Sequence, residues 1–189
     1  MRYTREHNAE IHRRILAEAS LRFRRDGVGA TGVQMLMNAL GLTHGAFYAH
    51  FPSKNALVEE VLRSCTEPLD ETVSELFARR DALPAYIDNY LAKGHRDTPG
   101  TGCPLPTISA ELAARGQPSA ESDRIVRDRL ERIAQALSGD DATDAAAASI
   151  ALLSTLVGAL QLSRSVADPA LSDRILEGAR RWLGRRFSS

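Results

Sequence analysis

This 189-residue chain predicts an all-α fold. Three observations carry that expectation. Apolar residues recur at helical spacing in nearly every segment, and no alternating run reads as a strand. Gly and Pro fall mostly between those segments, where helices start and stop. In the first third, two short apolar-patterned stretches are separated only by a turn containing Gly41. That is the pattern of two helices joined at a steep angle.

The elements follow in order. A first helix is expected from about Arg5 to Arg25, because Ile11, Ile15, Leu16, Ala19 and Phe23 share one side and Gly27 supplies a stop. Arg24 and Arg25 complement the dipole in its last turn. A short helix from about Val33 to Leu40 comes next. The Gly41 turn leads to another from about His44 to His50, which Pro52-Ser53 ends. Ser53 caps a fourth helix with Leu57, Val58, Val61 and Leu62 as its buried stripe. Pro68 either kinks that helix or breaks it before it resumes toward Arg80. The segment from about Leu83 to His95 carries Tyr86, Ile87, Tyr90 and Leu91, and Thr98 to Pro106 is dense in breakers and reads as a loop. Helices from about Leu105 to Arg115 and from Ser119 to Leu137 follow. Asp140 to Ala167 is rich in Ala, with Ile150, Leu153, Val157 and Leu160 as larger knobs. Asp168-Pro169 then caps a final helix that carries Leu171, Ile175, Ala179, Trp182 and Leu183 and ends among Arg180, Arg181, Arg185 and Arg186. The expectation is about nine helices, three in a head (residues 1–52) and the rest in a body (residues 53–189).

Composition narrows the function classes. Net charge is zero, but residues 1–55 carry eight Lys/Arg against four Asp/Glu, a net of +4, and residues 56–189 carry a net of −4. A basic head on an acidic body is expected where only the head meets phosphate. Cys65 and Cys103 are too few for a disulfide framework or a four-ligand zinc site. No run of about 18 uncharged apolar residues reads as a membrane span, and the charged N-terminus lacks a signal-peptide core. Metalloprotease, nucleophile-elbow and phosphate-loop motifs are missing. The expectation is a cytoplasmic protein that is not an enzyme, with no cofactor, no metal and no membrane partner.

The stretch Gly32 to Lys54 carries the chemistry. Phe47 and Phe51 fall on one side of the second short helix, and Gly45, Ala46 and Ala49 on the other. Small outward residues let a helix sink into a major groove about 12 Å wide. Tyr48 and His50 flank that face, within reach of sugar and phosphate. Thr43 is a natural N-cap, beside first-turn amides suited to phosphate. Lys54 is placed as a phosphate clamp.

Gly41-Leu42-Thr43-His44-Gly45-Ala46-Phe47-Tyr48-Ala49-His50-Phe51-Pro52-Ser53-Lys54 resembles the motif that closes the DNA-binding head of the TetR/AcrR family of regulators. The resemblance covers roughly residues 5–60. It implies an N-terminal three-helix bundle with a helix-turn-helix, followed by a helical ligand-binding and dimerisation domain. The implied protein is a homodimer that represses transcription from double-stranded DNA and leaves it when a small-molecule effector fills a pocket in the body. Carried over by position, Gln34, His44, Gly45, Ala46 and Tyr48 are expected at bases or adjoining backbone, and Thr31, Thr43, His50 and Lys54 at phosphates. The sequence departs from the family at Gly32, where Ser or Thr is common, and at Met37 and Leu40, where Ala is usual.

For the body, Leu153, Val157, Leu160, Leu171, Ile175, Ala179 and Trp182 are the expected dimer stripe, in an intersubunit four-helix bundle. Two recognition helices must then reach successive grooves about 34–36 Å apart or a multiple of it, so the operator is expected to be an inverted repeat. Phe77, Tyr86, Tyr90, His95, Cys103, Thr107 and Gln161 are candidates for lining an effector pocket, with an apolar or aromatic small molecule as default occupant. Cys103, in Gly102-Cys103-Pro104, opens an alternative: a thiol-based redox or electrophile sensor, since a thiol beside free amides is activated. Against it stands the plain role of a small buried residue.

Overall fold

The computed structural model describes residues 2–137 and 142–187, so Asp140, the expected start of the Ala-rich helix, lies outside the described residues. Among these residues all regular structure is helical. The helices are α1 (Arg2–Asp26), α2 (Val33–Ala39), α3 (His44–Phe47), α4 (Lys54–Ser64), α5 (Glu67–Phe77), α6 (Ala82–Tyr90), α7 (Lys93–Asp97), α8 (Ala110–Ala114), α9 (Ala120–Ala136), α10 (Ala142–Ser165) and α11 (Pro169–Phe187). A 3₁₀ turn (Pro99–Thr101) lies inside the breaker-rich segment, and a π turn (Leu105–Ser109) replaces the start of the helix expected from Leu105 and leads into α8.

The capping chemistry is local and matches the residue types. The Thr43 hydroxyl accepts from the Ala46 amide, and Ser53 accepts from Ala56. Asp168 Oδ1 accepts the Ala170 amide at 2.9 Å. Gly27 (φ +93°) and Gly41 (φ +69°) end α1 and α2 in the left-handed region, where a Cβ is strained. Gly32 begins α2 without a side-chain cap.

Two expected helices are divided. Pro68 falls in the first turn of α5, where its missing N–H costs nothing, so the chain breaks after Ser64 and resumes. The expected 83–95 helix stops at Tyr90 because Ala92 is extended (φ −65°, ψ 143°). Carbonyls freed at that break find partners: Arg180 donates to the Leu91 carbonyl at 2.7 Å, and Arg164 donates to the His95 and Arg96 carbonyls at 2.5 and 3.1 Å. Helix ends left inside a fold need such donors.

The chain forms two compact units, one of residues up to 67 together with 100–121, the other of 68–99 together with the chain from 122 onward. The first unit packs α1, α2, α3, α4 and the 105–114 segment. Its core holds Ile15, Ala19, Phe23, Leu36, Met37, Phe47, Phe51, Leu57, Val61 and Ile108. Met37, a departure from the family pattern, is fully buried there.

The second unit is built on the α10–α11 pair with α6 packed against both. Tyr86, Ile87, Leu152, Leu156, Leu160, Leu176 and Leu183 form its centre. Arg129 is buried against Asp70 and Asp128, so its charge is paired. Leu153 and Leu160, expected on the outer stripe, are instead buried inside this unit. Residues 144–165 of α10 are long and apolar enough to cross a membrane by length and composition alone, a test that the core helix of a soluble protein also passes. Their apolarity comes from Ile150, Leu152, Leu153, Leu156, Val157, Leu160 and Leu162 set among alanines. In this unit one face of the helix packs on α11 and α6.

Candidate nucleic-acid interface

The recognition surface is set by a short helix on an aromatic floor. α3 has four residues, too few to be stable alone. Phe47 and Phe51 hold it: both are buried and their rings stack at 5.6 Å. Phe51 continues onto the His12 ring of α1 at 4.4 Å. With these rings turned inward, Gly45 and Ala49 are exposed, Ala46 is half-buried, and Tyr48 is 58% exposed. Tyr48 lies edge-on to Phe47 at 5.2 Å and to His44 at 5.6 Å, which limits its freedom. Gln34, Thr43 and His44 are exposed on the same unit.

The phosphate candidates divide. His50 is half-buried beside His12 (ring centroids 6.0 Å), and burial, with His12 adding to it, pushes its imidazole below the usual value. Thr31 is 2% exposed and its hydroxyl donates to the Gly27 carbonyl at 2.9 Å. Its hydroxyl is turned inward, away from any phosphate. Lys54 is half-buried: Nζ donates to the Val28 carbonyl at 2.5 Å and lies 6.0 Å from the Phe23 ring centre. Burial lowers its pKa, Arg115 adds to that, and Glu111 opposes it. Any phosphate contact by Lys54 is made from this tethered position.

Several contributors were not legible in the sequence. His12 reads as a solvated residue of the first helix, yet it stacks on Phe51 and its Nε2 lies 2.5 Å from Glu60 Oε1. The available signal was its spacing from Ile15, Leu16 and Ala19, which puts it on the buried face. Arg14 donates to the Leu40 carbonyl at the end of α2 (3.2 Å). Arg24 donates to the Ser20 carbonyl, the Ser20 hydroxyl and the Gly102 carbonyl, and burial lowers its pKa. It holds the fold rather than facing outward.

The expected pocket residues are partly gathered. Phe77, Tyr86, Tyr90 and His95 form a run of rings in the second unit, with successive centroids 5.0, 6.0 and 4.8 Å apart. His95 Nδ1 lies 2.7 Å from the Tyr90 carbonyl, and burial lowers its pKa. Gln161 is exposed on α10, while Cys103 and Thr107 are half-buried in the unit that holds the head. That same unit has a cleft of about 180 Å³ lined by Asn55, Val58, Glu59, Leu112, Gln117 and Pro118, none of them expected. Among the described residues no group of His, Cys, Asp and Glu is arranged to hold a metal.

Comparison with known proteins agrees with this geometry. The family model described as "Bacterial regulatory proteins, tetR family" matches residues 15–61, the span from mid-α1 to α4. The HTH-type transcriptional repressor DhaR of Mycobacterium sp. (strain GP1) is 29% identical over 104 residues, 54% of this chain and 52% of that protein. The chain thus spans about half the length of the curated relative it matches. Among solved structures, a TetR transcriptional regulator from Chloroflexus aurantiacus superposes with TM-score 0.78 at 22% identity, covering 97% of each chain. One from Legionella pneumophila does so with TM-score 0.76 at 19% identity, over 92% of this chain and 95% of that one. At these identities the likeness shows the fold.

Proposed function

We propose that this chain is a bacterial regulator of the TetR type, which acts as a homodimer on an inverted-repeat operator and leaves it when a small molecule occupies the body. The observation that carries the reading is α3 itself. A capped single turn with Gly45, Ala46 and Ala49 on its outer side, exposed His44 and an exposed, braced Tyr48 sits on a buried Phe47–Phe51 stack. A surface of that shape enters a major groove and offers little else. The division of labour is a reading head over residues 1–52 and an effector-binding, dimerising body over residues 53–189, working on the chromosome in the cytoplasm.

Dimerisation is supported by what α10 and α11 leave uncovered. Ile150, Leu162 and Trp182 are exposed, beside half-buried Val157, Leu171, Ile175 and Ala179. Exposed large apolar side chains on neighbouring helices mark an interaction site where they gather. With Leu153 and Leu160 turned inward, Ile150 and Val157, seven residues apart, share the outer face of α10 instead. The Phe77–Tyr86–Tyr90–His95 run is the best-supported wall for an aromatic or apolar effector.

The test is fluorescence anisotropy on the full chain, with a duplex selected by the protein from a random library, against unrelated duplex over a salt series. A selected duplex bound at least about 100-fold more tightly than background supports the reading. Uniform, salt-sensitive, sequence-blind binding overturns it. In the same assay Lys54→Ala is expected to weaken binding to every duplex and to lower the salt slope by about 0.9, one phosphate's worth. A weaker complex with an unchanged slope would mean that Lys54 acts only through the Val28 carbonyl.

One observation favours a second reading, a thiol-operated release. The Arg24 guanidinium bonds to the Gly102 carbonyl and interacts electrostatically with both Cys103 and Cys65. A neighbouring cation favours thiolate. In that reading Cys103→Ser abolishes release from DNA by diamide, while release by a small-molecule effector is expected to survive.

A further inference from the structure

Glu111 stands on α8, more than sixty residues beyond the helix-turn-helix in the chain, yet its carboxylate reaches the loop that delivers α1 into α2. Oε2 accepts the Val28 amide at 2.6 Å and Oε1 accepts the Gly29 amide at 2.7 Å. From the other side, Lys54 Nζ takes the Val28 carbonyl at 2.5 Å. Two consecutive residues are therefore held by an anion on their N–H groups and by a cation on the carbonyl between them. Arg115, one turn further along the chain, also bonds to Glu111 Oε1 and fixes the carboxylate's orientation.

The glycines of the loop are shaped to this grip. Gly27 needs its left-handed backbone in any case, but Gly29 does not. A Cβ at Gly29 would stand 2.7 Å from Glu111 Oε1 and closer still to the Arg115 guanidinium. A side chain at Gly29 would therefore require the ends of the Glu111 and Arg115 side chains to shift. Beyond it, Thr31 is locked by its bond to Gly27, and α2 starts at Val33 with no cap of its own. Little slack remains between the held amides and the first reading helix.

We infer that Glu111 is a positioning residue for DNA reading: by holding the Val28 and Gly29 amides it sets how α2, and α3 packed upon it, present their outer face. The inference rests on the DNA-reading function proposed above. It differs from a contact that merely adds stability, because its loss must degrade discrimination between duplexes before it degrades the fold. Both bonds depend on one carboxylate, so a displacement of α8 releases both amides together. That gives the 100–121 segment a direct handle on the reading helices.

The test uses the full chain and the duplex that the wild type selects. For Glu111→Ala the affinity for that duplex is expected to fall about tenfold or more, the loss of charge-assisted bonds. Affinity for unrelated duplex should stay within about twofold of wild type, since phosphate contacts dominate it. Amide exchange at Val28 and Gly29 should quicken about tenfold or more while the thermal transition is retained. Glu111→Gln keeps one accepting oxygen and should fall between the two. Equal losses for selected and unrelated duplexes, or losses that simply follow a lowered thermal midpoint, overturn the inference. If Glu111→Ala does not fold, Glu111→Gln decides: wild-type discrimination in that variant overturns it. A wild-type chain that selects no duplex removes the proposed function and this inference with it, whereas a discriminating wild type with indifferent variants removes this inference alone.

Discussion

Phe47→Ala is expected to remove DNA binding and to lower the first unit's thermal transition steeply. The ring is fully buried, stacks on Phe51 at 5.6 Å and braces exposed Tyr48 edge-on at 5.2 Å. α3 has a single turn of its own, so it holds its place only by what Phe47 and Phe51 bury. Truncating a buried Phe to Ala costs about 3–5 kcal/mol through lost transfer energy and the cavity left behind. A domain is stable by about 5–15 kcal/mol in all, so a large share of the margin disappears. Circular dichroism melting and anisotropy check this together. A variant that still binds the selected duplex at wild-type affinity would show that α3 is held by something other than its aromatic floor.

Trp182→Glu is the second large effect, and it acts on assembly rather than on the protomer. Trp182 is 58% exposed on α11, so a single chain loses little packing when it is changed. In a two-fold interface each substitution occurs twice, and burying two new carboxylates without partners is costly. The expected result is a monomer by sedimentation, with helical content unchanged. Affinity for an inverted-repeat duplex should fall by about 100-fold or more, because the second half-site is no longer bound intramolecularly. A stable dimer would mean that α11 is not in the interface. A monomer with full operator affinity would mean that the operator is not an inverted repeat.

The head was the most legible part of the chain. The residue types that such a motif needs, a cap at Thr43, small residues at Gly45, Ala46 and Ala49, and rings at Phe47 and Phe51, fall within a dozen consecutive positions. Their geometry follows from helical periodicity alone. The caps at Ser53 and Asp168 and the left-handed glycines at 27 and 41 are readable for the same reason, since each satisfies a need within a few residues. α10 was less legible. Where Leu and Val occur on several sides of one helix, periodicity does not tell Leu153 and Leu160, which face inward, from Val157 and Leu162.

By itself, then, the sequence determined an all-helical protein with a helix-turn-helix head, because helix starts, stops and buried stripes are governed by neighbours along the chain. Only the tertiary structure decided which polar groups meet. It turned Thr31 toward Gly27, bound Lys54 to the Val28 carbonyl, stacked His12 on Phe51, and carried Glu111 onto the Val28 and Gly29 amides. In these last three pairings residues tens of positions apart share one site. A hydrogen bond needs its donor and acceptor within about 3 Å and aligned, a condition that spacing along a chain does not encode.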